Sequence, residues 1–431
     1  MSNTNRNSPK DKAGFKPESL MMSHGYNAAL SEGAIKPPIF LTSTFTFPNA
    51  QAGADFFDRF SGRKPAAQGE SEGLIYSRFN HPNMEIAEDR LALLEQADTA
   101  AVFASGMAAI SAVFLTFLRP GDVLVYCTPL YGGTETLIRN ILPQWGVQLV
   151  AIASHDMSAQ LRPALERAGK LGRVAMVYLE SPANPTNVQV DFELVQREVL
   201  SATLSKDKRA LIVCDNTLLG PVFSSPLRFG VDLCLYSLTK YVGGHSDLIA
   251  GSVVGETSLV QQVRKTRSAF GSQLDPHTCW MICRSLETLT IRMQRAAASG
   301  SKVAAWLAGN PYTPVTLFHP EYAQGEQKQL YEKQCSGPGS TFSFTVPGGR
   351  AQAFAIIDQL RLVKSAVSLG GTESLVCHPA STTHSGIAPA QREASGVSEG
   401  LIRLSVGLEH PDDLITDLGR AFAEVFGPRG A

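Results

Sequence analysis

The sequence predicts an α/β protein in which a larger region, built on a mostly parallel sheet with covering helices, is followed by a smaller α+β region. Three observations carry this expectation. Short apolar runs alternate with helical stretches between residues 99 and 240, the order that makes strands parallel and buries both their faces. Two of those runs deliver chemistry-bearing residues at their ends, Asp215 after Ala210-Leu211-Ile212-Val213-Cys214 and Lys240 after Leu235-Tyr236-Ser237-Leu238-Thr239, and ligands of open α/β sheets collect at such ends. Beyond Lys240 the alternation gives way to longer helices and then to strands mixed with helices.

Composition sets the bounds. The chain has 431 residues, 44% of them hydrophobic, and a net charge of −1. That supports a large core and two or three domains. It offers no basic stripe for nucleic acid or an anionic membrane. Seven cysteines, odd in number and often inside apolar runs, read as reduced core residues and favour a cytosolic setting. Cys279 and Cys283 share a helical spacing, but with His277 alone beside them plain packing outweighs a zinc site. Residues 1–16 are polar without a signal-peptide core and predict a mobile tail. Residues 99–118 carry no charge over nearly a membrane-spanning length; the Ser105-Gly106 turn inside them favours a strand tip and a buried helix. There is no internal repeat and no low-complexity tract.

In chain order, residues 37–47 are apolar and threonine-rich without helical period, and predict an extended arm. Residues 61–73 predict a polar, glycine-bearing loop. Tyr76 and Arg78 stand two apart before the Pro82 turn, as loop decoration or loop function. A helix after Pro82, with Ile86, Leu91 and Leu94, leads to a strand at 100–104. That strand breaks at Ser105-Gly106-Met107 into an alanine-rich helix, whose free N–H groups offer a seat for phosphate. A strand at 123–126 runs to Tyr131-Gly132-Gly133, where Tyr131 suits stacking on a flat ring, proton donation or plain capping. Strands at 149–153 and 174–179 flank a helix near 159–168. Asn184, between Pro182 and Pro185, sits in a constrained turn suited to a hydrogen bond. After Lys240, helices are expected at 259–267 and 278–298, the second long enough to link two domains. Strands at 339–346 and 401–407 with helices at 352–359 and 412–426 predict an α+β layer over the first domain. Arg403 alternates with apolar neighbours, and its fork suits a carboxylate.

The chemistry follows from Lys240. Burial and a nearby cation both disfavour an ammonium, so a lysine at such a turn loses its proton near neutral pH and attacks a carbonyl. With Asp215 one strand away, the pair meets the two demands of pyridoxal phosphate, an amine for its aldehyde and a carboxylate for its ring nitrogen. A nicotinamide dehydrogenase is disfavoured because no G-x-G-x-x-G follows an early strand. The remaining alternative, a binding protein that keeps the fold without the chemistry, would be colourless.

With these motifs assembled, the chain resembles the Cys/Met-metabolism family of pyridoxal-phosphate enzymes, which includes cystathionine γ-synthase, cystathionine γ-lyase, methionine γ-lyase and O-acylhomoserine sulfhydrylase. The resemblance runs from about Ser23 to the C-terminus. It implies the fold type I pyridoxal-phosphate transferase architecture, with a seven-stranded, mostly parallel sheet. It also implies three parts: residues 1–80 as tail and arm reaching a neighbouring subunit, 81–291 as the cofactor domain, and 292–431 as the smaller α+β domain. By this resemblance Lys240 joins the cofactor aldehyde and then moves protons, Asp215 holds the ring nitrogen, and Tyr131 stacks on the ring and protonates a leaving thiol. Ser105, Gly106, Met107, Ser237 and Thr239 hold the phosphate, Thr217 and Asn184 complete the cofactor contacts, and Tyr76 with Arg78 reaches the phosphate of a neighbouring subunit. Arg403, Ser368 and Asn184 hold the substrate α-carboxylate. The implied assembly is a cytoplasmic homotetramer of dimers with shared sites, acting on a small amino acid without metal, nucleic acid or membrane.

The implied reaction is γ-elimination or γ-replacement on a sulfur amino acid or homoserine derivative. A methionine γ-lyase-like activity comes first, with cystathionine γ-synthase or O-acylhomoserine sulfhydrylase activity as the alternative. Departures from the family bear on this choice. Gly133 stands where the methionine γ-lyases carry a cysteine. Thr136 and Val367 stand where cystathionine-handling relatives often carry an arginine and a glutamate, which disfavours a second amino-acid head. Residues 378–385 and 403–407 are similar to the methionine γ-lyase and sulfhydrylase branch. The loop between Phe57 and Leu74 is longer than in the commonest members and is expected to reshape the entrance.

Overall fold

The computed structural model describes residues 14–64, 73–202 and 209–427. Most of the expected tail, and residues 65–72 of the expected long loop, lie outside them.

A seven-stranded sheet forms the larger core. Its strands are β1 (Thr99–Phe103), β2 (Val123–Thr128), β3 (Gln148–Ala153), β4 (Val174–Glu180), β5 (Leu211–Asp215), β6 (Leu233–Ser237) and β7 (Gly251–Gly255), in the order β1-β7-β6-β5-β4-β2-β3. Strands β3, β2, β4, β5 and β6 are mutually parallel, and only β7 runs against its neighbours β6 and β1. The apolar runs of β4, β5 and β6 are buried almost throughout, because helices cover both faces of such a sheet. Met157–Leu171 packs on β2 and β3, and Gly106–Phe117 on β6 and β7. The uncharged stretch at 99–118 resolves into β1 and Gly106–Phe117. Among the described residues no helix is long and apolar enough to cross a membrane.

The second sheet contains β8 (Thr316–Phe318), β9 (Thr341–Thr345), β10 (Lys364–Ser365), β11 (Leu375–Cys377) and β12 (Leu401–Ser405), ordered β10-β11-β12-β9-β8. Phe342, Phe344, Ile402 and Leu404 meet Leu418 and Phe422 of helix Pro411–Phe426 in a separate core. Helix Leu289–Ala308 serves both cores, through Met293 and Ala297 at one end and Val303, Ala304 and Leu307 at the other.

Three local expectations need correction. The helix expected at 278–298 is two helices, Pro276–Leu286 and Leu289–Ala308. No glycine or proline marks the break; it is held by tertiary contacts, with Glu287 receiving Arg90 Nη1 at 3.2 Å and Lys36 Nζ at 2.6 Å. Second, Phe57–Ser61 is not loop but the end of helix Ala50–Ser61, which Asn49 caps by accepting from Ala52 N and Gly62 closes at φ +77°. Phe56, Phe57 and Phe60 supply the helical spacing that packs this segment on Phe47 and Phe79. Third, Lys240 lies three residues beyond the end of β6, in a turn. The arm at 37–47 holds no helix, as expected; it meets the following segment through the isolated Thr44–Tyr76 bridge, and Asn83 ties it down by accepting from Phe40 N at 2.9 Å and donating to Pro38 O at 2.8 Å.

Candidate active site

Because β2, β4, β5 and β6 are parallel, their C-terminal ends open on one edge of the sheet. A cavity of about 290 Å³ lies there. Its lining brings together Lys240, Asp215, Tyr131, Asn184, Thr217, Ser105, Gly106, Met107, Ser237 and Thr239. Tyr76, Arg78, Ser368 and Arg403 are not among its lining residues, although Ser368 and Arg403 adjoin it through Lys240 and Asn184. Tyr76 is 42% exposed, while Arg78 donates to Ser268 O at 2.7 Å and lies over the Phe79 ring.

The Lys240 ammonium is disfavoured by burial and then by Arg403, which together bring its pKa down to about 8. Its Nζ donates to Ser368 Oγ at 2.8 Å. Ser368 has φ +100°, a conformation that non-glycine residues rarely adopt and that persists only when neighbours impose it. Arg403 does so: it is buried on β12, its Nη2 donates to Ser368 O at 3.0 Å, and its Nη1 donates to Asn184 Oδ1 at 3.1 Å. His384 sits 3.1 Å from Asn184 O through Nε2, and burial together with Arg403 keeps it neutral by lowering its pKa to about 4.

Asp215 is fixed by a short relay. Its Oδ1 accepts from Thr217 N at 3.0 Å and Thr217 Oγ1 at 2.6 Å, and Ser237 N donates to that hydroxyl oxygen at 2.9 Å. Burial raises the Asp215 pKa, and the Thr217 hydrogen bonds oppose the rise. Glu180, at the end of β4, was missed by the sequence reading, although it ends an apolar run just as Asp215 does. Its Oε2 accepts from Tyr131 N at 2.8 Å and its Oε1 from Asn184 N at 3.3 Å, so it ties the loops on either hand of the cavity. Burial and the neighbouring Asp215 push the Glu180 pKa far up. Both carboxyls are therefore pushed up by burial, and the Thr217 hydrogen bonds hold Asp215 back from that rise.

Ser105 caps helix Gly106–Phe117 by accepting from Ala108 N at 3.0 Å, so the unpaired first-turn N–H groups face the sheet edge. Close approach here demands glycine. A Cβ on Gly106 would lie 3.0 Å from Ser237 Cβ, and one on Gly251 would lie 2.2 Å from Ser105 O. The Thr239 hydroxyl exchanges hydrogen bonds with the Ala250 main chain. Tyr131 is 44% exposed; its ring lies over Gly133, where a Cβ would meet Tyr131 Cε1 at 2.7 Å. Met107, Ile110, Leu218, Ile249 and Leu369 make the remaining wall apolar. Sequence reading did not find these last four.

A family model described as Cys/Met metabolism PLP-dependent enzyme matches residues 18–423. The chain belongs to that family. It is 38% identical over 400 residues to an L-methionine γ-lyase from Pseudomonas putida, covering 92% of this chain and 95% of the relative. It is 33% identical to an O-succinylhomoserine sulfhydrylase from Pseudomonas aeruginosa, covering 91% and 92%. Among solved structures, cystathionine γ-lyase from Lactobacillus plantarum superposes with a TM-score of 0.83 at 31% identity, covering 95% of this chain and 99% of that one. A cystathionine γ-synthase from Xanthomonas oryzae pv. oryzae gives 0.84 at 31% identity, covering 95% and 98%. The fold is that of the fold type I pyridoxal-phosphate enzymes, and the protein is an enzyme whose cofactor is pyridoxal 5′-phosphate.

The cavity fits that group. It offers an amine with a depressed pKa, a carboxylate whose described hydrogen bonds all fall on one oxygen, a capped helix N-terminus and an aromatic ring.

Proposed function

We propose that the enzyme eliminates the γ-substituent of a four-carbon sulfur amino acid, converting L-methionine and water into 2-oxobutanoate, ammonia and methanethiol. The observation that carries this reading is the half-buried Lys240 amine, 2.8 Å from Ser368 Oγ, in a cavity partly lined by apolar side chains. Pyridoxal phosphate, when bound, supplies an aldehyde that condenses with amines and a protonated ring that withdraws electrons from the substrate α-carbon. Asp215 keeps the proton on the ring nitrogen by opposite charge, with Thr217 orienting it. Ser105, Gly106, Met107, Ser237 and Thr239 hold the phosphate, and Tyr131 and Asn184 contact the ring.

Lys240, as a neutral amine, takes a proton from the substrate carbon and returns it, and Ser368 steadies its Nζ between those events. The Arg403 fork, with Ser368 and Asn184 beside it, binds the α-carboxylate by turning from the Ser368 carbonyl and the Asn184 amide oxygen that it now holds. Tyr131 donates a proton to the departing sulfur. Apart from Lys240, Asp215 and Glu180, the described lining carries no charged side chain, and Met107, Ile110, Leu218, Ile249 and Leu369 make much of it apolar, which suits a thioether better than a second amino-acid head.

Tyr76 and Arg78 reach the phosphate of a second copy, and two such dimers make a homotetramer. Residues 1–80 are the exchanged part, 81–291 the cofactor domain and 292–431 the smaller domain. Ile35 and Leu41, 86% and 76% exposed on the arm, support burial against another subunit. Free cysteines, six of the seven buried, support a cytoplasmic setting.

Incubation with L-methionine, L-homocysteine and O-acetyl-L-homoserine, with and without sulfide, tests the reaction. Release of 2-oxobutanoate from methionine is expected. Gly133, in place of the lyases' cysteine, favours one second reading, a sulfhydrylase; no 2-oxobutanoate together with sulfide-dependent homocysteine would establish it.

A further inference from the structure

The turn that carries Lys240 lies outside regular secondary structure, so its buried backbone groups need partners one by one. Within the turn, Lys240 N donates to Ser237 O, Gly243 N to Leu238 O and Gly244 N to Lys240 O, at 3.1, 2.7 and 2.7 Å. The carbonyls of Tyr241 and Val242, in residues only 4% and 3% exposed, receive no main-chain donor among the described bonds. Arg292 supplies both. Its Nη1 donates to Tyr241 O at 2.8 Å and its Nη2 to Val242 O at 3.1 Å. The same guanidinium reaches back to the corner between Pro276–Leu286 and Leu289–Ala308, from Nη2 to Ser285 O at 3.0 Å and from Nε to Thr288 Oγ1 at 3.2 Å.

Two further features mark this as a built contact. Among the described residues no carboxylate pairs with Arg292, whose burial pulls its pKa down to about 10. A guanidinium half withdrawn from water without a counter-ion is costly as a filler. Gly244, at φ +70°, would place a Cβ 1.8 Å from Arg292 Nη1, so the glycine that closes the lysine turn also makes room for the arginine.

We propose that Arg292 is a positioning residue that sets the Lys240 turn, and through it the direction in which the Lys240 amine enters the cavity. This rests on reading Lys240 as the cofactor lysine. A planar fork holding two successive carbonyls restrains both peptide planes that follow Lys240, whereas a lysine ammonium holds one point and cannot also clasp the helix corner. Because Ser285 and Thr288 belong to that corner, the lysine turn and the start of the helix shared by both cores form one unit.

The test uses the purified holoenzyme as wild type, Arg292→Lys, Arg292→Ala and Thr288→Val. Borohydride reduction and peptide mass spectrometry of the wild type first show whether the pyridoxyl group sits on Lys240; if it sits elsewhere, the underlying reading falls and the inference with it. Cofactor retention on dilution, the pH midpoint of the visible absorption band and the melting temperature are then compared. Arg292→Lys is expected to lower the melting temperature somewhat, since it keeps fewer of the four hydrogen bonds, and at temperatures where it is fully folded to release cofactor about tenfold more readily and shift the band midpoint. Thr288→Val, which removes one tether from an exposed residue, is expected to move both in the same direction by less. Arg292→Lys with wild-type retention and midpoint overturns the proposal, whatever its melting temperature and whether or not Arg292→Ala folds.

Discussion

Lys240 is expected to titrate far below an ordinary lysine, and Arg403 accounts for part of the difference. Burial is the larger cause and Arg403 the smaller, and together they take the pKa from 10.5 to about 8. That difference corresponds to about 3 kcal/mol. At pH 7 it raises the reactive neutral fraction from about one molecule in three thousand to about one in ten. The perturbation is Arg403→Gln, which keeps an amide donor for Ser368 O and leaves the burial of Lys240 in place. The midpoint should rise but stay short of 10.5, because the larger cause remains. The assay is labelling of cofactor-free protein with an amine-reactive reagent over a pH series, with the Lys240 peptide quantified by mass spectrometry. The sign also fixes a stability effect. Between pH 8 and 10.5 the unfolded chain binds a proton that the folded one lacks, so this group's contribution to stability rises with pH across that window. A wild-type midpoint near 10, or one that Arg403→Gln leaves unchanged, would refute the reasoning.

Glu180→Ala leaves the buried N–H groups of Tyr131 and Asn184 without their acceptor; calorimetry should show a loss of about 1–3 kcal/mol for each donor left unpaired, with weaker cofactor retention. Gly133→Ala places a Cβ 2.7 Å from the Tyr131 ring and 3.2 Å from Met107 Sδ; the ring must move, and steady-state kinetics should show about a tenfold fall in kcat/KM with little change in melting temperature. Burial pushes the Glu88 carboxyl up, but Arg264, Arg267 and the Val102 N–H more than offset this and hold its pKa below 4.5. Its stabilisation is therefore present above pH 4.5 and lost as pH falls through the lower folded value. Glu88→Gln should cost about 3–5 kcal/mol at neutral pH and flatten the acid limb of a pH–melting profile.

That Asp215 and Lys240 share one cavity was legible because both follow apolar runs, and a parallel sheet puts such ends on one edge. The same signal was present at Glu180, where Tyr178-Leu179-Glu180 ends β4. It went unread because a second buried carboxylate has no role until the loops of Tyr131 and Asn184 are seen to share it. Ile249 and Leu369 had no sequence signal at all, since they reach the cavity from loops separated by more than a hundred residues. Helix Ala50–Ser61 was legible in principle, from Asn49, Gly62 and three phenylalanines, but its polar downstream neighbours drew the loop boundary too early.

By itself the sequence determined the alternation of strands and helices that makes the main sheet mostly parallel, and the residue types, Asp215 and Lys240, that meet at its edge, because these depend on local pattern. Only the tertiary structure decided the break at Glu287–Thr288, the strained Ser368, the carboxyl of Glu180 shared by two loops and the arginine behind the lysine turn. Each of those depends on which distant group lies within hydrogen-bond reach in a buried setting, and chain folding alone sets such distances.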